Sequence, residues 1–189
     1  LDCLNRYIVS GLGKGLIRES TSQYVVPLVL VRKHDTYRIC ADYRIPNGPN
    51  GIFTESLEPL PEIDHLIQEF GTKKLFSIFD LESAYNHCKL NPDHTKFTAF
   101  QVPEPSQYRG VYEYLGLSFG LGPAVGIFSQ VMRKVLHGLE HIGIRSYLDD
   151  LIVASPSSDC TEDTSNWSEK EILLDHASQM RKLFGRLKA

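Results

Sequence analysis

Apolar and polar positions run along this chain in blocks whose period changes several times. Residues 28–32 form an apolar run opened by Pro27, and residues 37–43 alternate in character. With the polar tip His34-Asp35-Thr36 between them, they predict a β-hairpin whose turn is flanked by Lys33 and Arg38. Residues 12–18 read as a glycine-punctuated loop; no strand–loop–helix unit surrounds Gly11, Gly13 and Gly15, so these glycines are read as a flexible loop and not a phosphate loop. Residues 47–51, rich in Gly, Pro and Asn, read as another loop. Ile63, Leu66, Ile67 and Phe70 recur at helical spacing, with Pro61 opening that helix and Gly71 stopping it.

Residues 75–79 then make a short apolar strand ending at Asp80, and 81–88 read as helical. Residues 98–102 and 111–115 predict a second hairpin around 103–110, and Phe128, Val131, Met132, Val135 and Leu139 share one face of a helix over 125–139. Apolar strands at 142–147 and 151–154 meet tightly through Leu148-Asp149-Asp150. Residues 155–168 are polar and acidic, carry no Lys or Arg, and read as a mobile loop. Ser168 with Glu171 forms a capping box, and the helix behind it presents Ile172, Leu173, Met180, Leu183, Phe184 and Leu187 as its apolar stripe. Strands alternating irregularly with helices predict an α+β fold, an antiparallel sheet backed by helices.

Composition narrows the class without deciding it. Of 189 residues, 42% are hydrophobic and 23% charged, an ordinary globular balance. No apolar run is long enough to cross a bilayer. The start has no signal-peptide layout and no Met, which suggests a piece of a longer chain. Cys3, Cys40, Cys88 and Cys160 match no zinc spacing and read as reduced thiols in a cytosolic setting. The seven His residues show no paired metal spacing and are assigned no role. A net charge of −3 argues mildly against a nucleic-acid binder, which usually carries a basic footprint; a site that gathers carboxylates shifts that balance.

The candidate chemistry lies in acids at strand ends. Asp80 closes one apolar strand, and Asp149-Asp150 sits at the tip of an apolar hairpin. If those strands are neighbours, three carboxylates converge at one rim, and hard oxygen donors on rigid elements suit Mg²⁺. Two such ions about 4 Å apart clamp the attacking and leaving oxygens of nucleotidyl transfer. Taken singly, each feature has a plainer reading: Asp80 as a helix N-cap, and Asp-Asp as turn chemistry.

The surrounding words add a resemblance. Tyr147-Leu148-Asp149-Asp150 resembles the Tyr-x-Asp-Asp box of reverse transcriptases. Residues 75–81, followed by Ser83-Ala84-Tyr85, are similar to the first catalytic Asp motif of gypsy-type LTR retrotransposons and retroviruses. Residues 15–18 through Pro27, residues 37–44 with Asn47, residues 60–64 and residues 118–121 complete the order, so the likeness runs from Gly15 to Ala154. It departs at Val125, where relatives usually carry Pro, at Ser129 and at Asn86.

That resemblance implies the fingers and palm of a right-hand polymerase, with the thumb absent: fingers over 1–74 and part of 86–115, palm over 75–154, and an acidic loop with a palm helix over 155–189. It implies Asp80, Asp149 and Asp150 as catalytic, with Asp80, Asp149, Asp150 and the Leu81 carbonyl around two Mg²⁺ (or Mn²⁺). Lys33 and Arg38 would hold the incoming triphosphate, and Tyr85 would be the steric gate that selects dNTPs. Phe119 and Gly120 would line the nucleotide pocket, and Tyr147 and Leu148 would pack on the primer end. The implied partners are an RNA or DNA template with its primer, dNTPs, and the rest of a Pol polyprotein (thumb, RNase H, integrase), in the cytoplasm or nucleus and without a membrane. Two rivals stay open: an RNA-directed RNA polymerase, disfavoured by Tyr147 and Tyr85, and a non-catalytic palm kept as a binding scaffold.

Overall fold

A computed structural model describes residues 1–33, 36–54, 62–158 and 163–188, with the backbone alone of Lys33 and Thr36. The hairpin tip His34-Asp35, the helix opener Pro61, and Asp159, Cys160 and Glu162 of the acidic segment lie outside the described residues. The fold is α+β with largely antiparallel sheets, in two compact units: residues 1–56 with 83–125, and 57–82 with 126–189. No helix among the described residues is long and apolar enough to cross a membrane.

The first unit is built on a five-stranded sheet. Its strands are β1 (Ile17–Glu19), β2 (Val26–Lys33), β3 (Thr36–Ala41), β5 (Phe100–Val102) and β6 (Gly110–Tyr114), in the order β1-β6-β5-β2-β3. The β2–β3 hairpin pairs in register from Leu28↔Ala41 to Lys33↔Thr36. One pair departs from the antiparallel expectation, because β2 meets β5 in parallel at Val26↔Phe100 and Pro27↔Gln101. Helix α1 (Asp2–Gly13) replaces the expected loop through Gly11 and Gly13. Leu4, Ile8 and Gly11 are its buried stripe, and a Cβ on Gly11 would stand 2.9 Å from the Ile17 side chain. Glycine weakens a helix by about 1 kcal/mol, yet here its missing side chain lets β1 approach. The short helix α3 (Ala84–His87) also belongs to this unit and is shorter than expected.

The second unit carries a three-stranded sheet in the order β4-β8-β7, from β4 (Leu75–Asp80), β7 (Ile144–Tyr147) and β8 (Asp150–Ser155). Around it stand α2 (Ile63–Phe70), the part of α4 (Ala124–Leu136) from Gly126 onward, and α5 (Glu169–Lys188). The capping box forms as expected: Ser168 N–H donates to Glu171 Oε2 at 2.7 Å, and Glu171 N–H donates to Ser168 Oγ at 3.4 Å. The stripe behind it is rotated from the expected one. The buried positions are Ile172, His176, Gln179 and Leu183, while Leu173, Phe184 and Leu187 are exposed. His176 and Gln179 take core positions because the sheet face they meet offers hydroxyls at Ser77 and Ser155. The opposite sheet face is more open: Phe76 and Ile78 are 46% and 68% exposed. There α2 packs Phe70 edge-on to Phe76, and Glu69 pairs with Arg145.

Ile142 falls in a 3₁₀ turn ahead of β7, which ends on Gly143 at φ +86°. Gly143 accepts a hydrogen bond from Ala154 N–H at 2.9 Å, and a Cβ there would lie 2.5 Å from the Ala154 oxygen. Gly143→Ala is therefore expected to cost about 2–4 kcal/mol of stability, the left-handed penalty plus a backbone clash. Gly138→Ala, also at positive φ but with open space around it, isolates the first contribution at about 1–2 kcal/mol. Urea unfolding of both variants checks this, and equal losses would remove the clash.

Candidate active site

The acids are positioned by a ladder and a turn. β4 and β8 pair antiparallel from Leu75↔Ser155 to Asp80↔Asp150, so the two aspartates are direct cross-strand partners. Side chains at such positions leave the same face, with Cβ atoms about 5 Å apart. Beyond that pair, Leu81 N–H donates to the Asp149 carbonyl at 3.1 Å, drawing the hairpin tip against the residue that follows Asp80. On the other side Tyr147 pairs with Asp150, leaving Leu148-Asp149 as a two-residue connection. Leu148 takes φ +55°, a conformation a bulky L-residue rarely adopts, and backbone strain of this kind clusters at functional sites.

Asp80 and Asp150 are exposed and Asp149 half-buried, so their carboxylates are open to a ligand. Among the described residues no three His, Cys, Asp or Glu side chains form a ready metal cage. The backbone brings Asp80, Asp149 and Asp150 to one rim; it does not hold their oxygens on one point. Facing like charges repel across a ladder. An all-oxygen donor set on two opposed strand ends fits a hard divalent ion.

A second group of predicted residues gathers within the first unit. Arg38 and Phe119 line a cavity of about 470 Å³, with Tyr7, Lys14, Asn86 and Tyr114 among the other walls. The Arg38 guanidinium stands 5.6 Å from the Phe119 ring centre, and Phe119 packs on Tyr85 at 4.9 Å. Tyr85 is buried at 6% exposure while Phe119 is 41% exposed. Gly120 takes φ +88°, where a side chain would be strained. The Lys33 side chain lies outside the described residues.

Sequence reasoning missed three contributors here. Asn47 holds the Gly120 turn from both ends: its Nδ2 donates to Gly120 O at 2.6 Å, and its Oδ1 accepts from Gly122 N–H at 2.8 Å. The motif word containing Asn47 pointed to it without a role. Tyr7 and Tyr114 share a hydrogen bond between their hydroxyls beneath the cavity. Burial, reinforced by Tyr114, pushes the Tyr7 phenol well above its ordinary range, and burial likewise raises Tyr114. Both stay protonated at neutral pH. Tyr7 was not found because no helix was read over the first ten residues.

The match to known proteins follows these elements. Residues 31–185 match the family model described as reverse transcriptase (RNA-dependent DNA polymerase). The chain belongs to the reverse transcriptase family. It is 33% identical over 152 residues to the retrovirus-related Pol polyprotein from transposon 297 of Drosophila melanogaster, covering 77% of this chain and 14% of that protein. It is 29% identical over 158 residues to the transposon Tf2-3 polyprotein of Schizosaccharomyces pombe, covering 83% of this chain and 11% of that protein. The reverse transcriptase chain thus spans a small fraction of the length of these relatives.

Asn47→Ala in this reverse transcriptase chain is expected to cost about 1–2 kcal/mol, the net worth of two hydrogen bonds to backbone. Denaturant titration measures it. An unchanged midpoint would mean that Asn47 does not hold the Gly120 turn.

Proposed function

We propose that this chain is the catalytic core of an RNA-directed DNA polymerase, adding dNTPs to a primer 3′-hydroxyl on an RNA or DNA template. The observation that carries the reading is the Asp80↔Asp150 register, together with the Leu81–Asp149 hydrogen bond beside it. Family membership supports it independently. We read residues 1–74, with part of 86–115, as fingers, 75–154 as palm and the helix within 155–189 as a palm helix.

Asp80 and Asp149 are assigned as holders of two Mg²⁺ ions (or Mn²⁺), with Asp150 as the third carboxylate and the Leu81 carbonyl as a neutral oxygen. Those ions, when bound, supply Lewis acidity to the primer hydroxyl and neutralise charge on the leaving pyrophosphate. The strand ends give the acids the rigidity this chemistry needs, since a drift of about 1 Å costs on the order of a hundredfold in rate. Arg38, with Lys33, holds the triphosphate, its planar fork suited to paired phosphate oxygens. Phe119 and Gly120 form the nucleotide wall; a residue without a side chain lets the nucleotide come close. Tyr85, fixed by its packing on Phe119, excludes a ribose 2′-hydroxyl. Tyr147 and Leu148 meet the primer end.

The relatives are polyproteins by name. We assign this chain to a Pol polyprotein alongside thumb, RNase H and integrase segments, acting in a cytoplasmic virus-like particle.

Primer extension on an RNA template by the natural longer polyprotein tests the assignment. Extension should require Mg²⁺ and fall by about a thousandfold or more in Asp149→Ala, as several kcal/mol of charge stabilisation is lost. Extension that survives the substitution would sink the reading, and a wild-type chain that never extends would favour the scaffold. Separately, Tyr85→Ala should raise rNTP use relative to dNTP by about tenfold or more, the ratio set by a clash of a kcal/mol or greater. An unchanged sugar preference would remove Tyr85 as the gate.

A further inference from the structure

We propose that His176 on α5 is a positioning residue that sets the β4–β8 register, and through it the alignment of Asp80 with Asp150. The inference rests on the polymerase reading of those acids. His176 is 4% exposed and engages both strands at once: its Nε2 meets Ser77 Oγ at 2.8 Å, and its Nδ1 meets Ser155 Oγ at 2.9 Å. Ser77 lies three residues before Asp80 on β4, about 10 Å along the strand. Ser155 closes β8 at the end away from Asp150.

Within the ladder such a key matters because the apolar contacts between the strands carry little register information. β7 and β8 are locked by a two-residue turn, but β4 reaches β8 from a distant part of the sequence with no turn to count residues. A one-residue slip would turn every side chain over, whereas a two-residue slip keeps each on its face. Burial of apolar surface does not forbid that slip, being non-directional. On the inner face Phe79 of β4 pairs with Leu151 of β8, while Leu75 and Val153 lie opposite Ser155 and Ser77, and the apolar side chains among them would accept new partners. On the outer face, Phe76 and Ile78 are exposed and discriminate little. Two hydrogen bonds from one ring to diagonal serines are directional and fail after any slip.

The surroundings fit this role. Burial holds His176 below its ordinary imidazole range, opposed by the nearby Asp175 carboxylate, so the ring is neutral at neutral pH. A neutral ring has one N–H and one lone pair, and a hydroxyl can complement either. Gln179, one turn on, donates from Nε2 to Ser155 Oγ at 2.9 Å and to Asp175 Oδ2 at 2.7 Å. Asp175 Oδ2 also accepts from Ser157 N–H at 2.9 Å, so α5 grips the exit of β8 at several points and β4 through His176–Ser77.

The test uses Mn²⁺ affinity, read by electron paramagnetic resonance, and primer extension, both on the full polyprotein. Wild type and Asp149→Ala come first: equal Mn²⁺ affinity there, with no extension by wild type, is failure of the polymerase reading and is visible before His176 is touched. Given a wild-type site, His176→Ala should weaken Mn²⁺ about tenfold, as the fraction in the competent register falls to about a tenth, and Ser77→Ala should do the same. His176→Gln, whose amide reaches where Nε2 reached, should restore most of the affinity; His176→Asn, which reaches only toward Ser155, should not. If His176→Ala fails to fold, Ser77→Ala decides, since it leaves the histidine in the core. Unchanged Mn²⁺ affinity in folded His176→Ala or Ser77→Ala overturns the proposal, as does equal loss in the Gln and Asn variants.

Discussion

Antiparallel pairing between β4 and β8 is the constraint from which the rest of the second unit follows. Neither acid-bearing segment can form a site alone: Asp80 ends a strand whose partner is supplied by residues far along the chain, and Asp149-Asp150 belongs to a hairpin with no third strand of its own. Pairing them costs loop-closure entropy, which is offset by burying Leu151, Val153 and the inner residues of β4 beneath α5. The same pairing concentrates negative charge at one rim.

The first unit solves a different problem, that of polar groups placed inside. Glu113 is 4% exposed, and burial works to raise its carboxyl; hydrogen bonds from Ser20, Arg18 and Thr95 more than reverse this and hold it below the ordinary range. Tyr43 is buried too, which pushes its phenol above the ordinary range, and its hydroxyl donates to Thr98 O at 2.8 Å. The Glu113 bonds tie β1 and β6 to the 3₁₀ turn at Thr95–Thr98.

What was legible in the sequence was what local rules govern. The β2–β3 hairpin, α2 with Gly71 at its end, the strand running into Asp80 and the Ser168–Glu171 box all follow from spacing within a few residues. Three features were hidden for physical reasons. α1 was masked by glycines that serve packing against Ile17 and not flexibility. The face of α5 was misjudged because pattern reading sends apolar residues inward, while this interface pairs His176 and Gln179 with serines. The Asp80↔Asp150 partnership leaves no local trace at all; the recurring words around the acids signalled it, and periodicity did not.

Leu148 has one more consequence. A leucine is held where a chiral α-carbon is least at ease, next to the acids and half-buried. The turn therefore keeps its shape only while its surroundings insist on it, like a spring latch under load. Anything that leans on that side chain pushes directly on the backbone that carries Asp149. The tip of this hairpin is thus a mechanical input to the acidic rim as well as a place where acids are displayed.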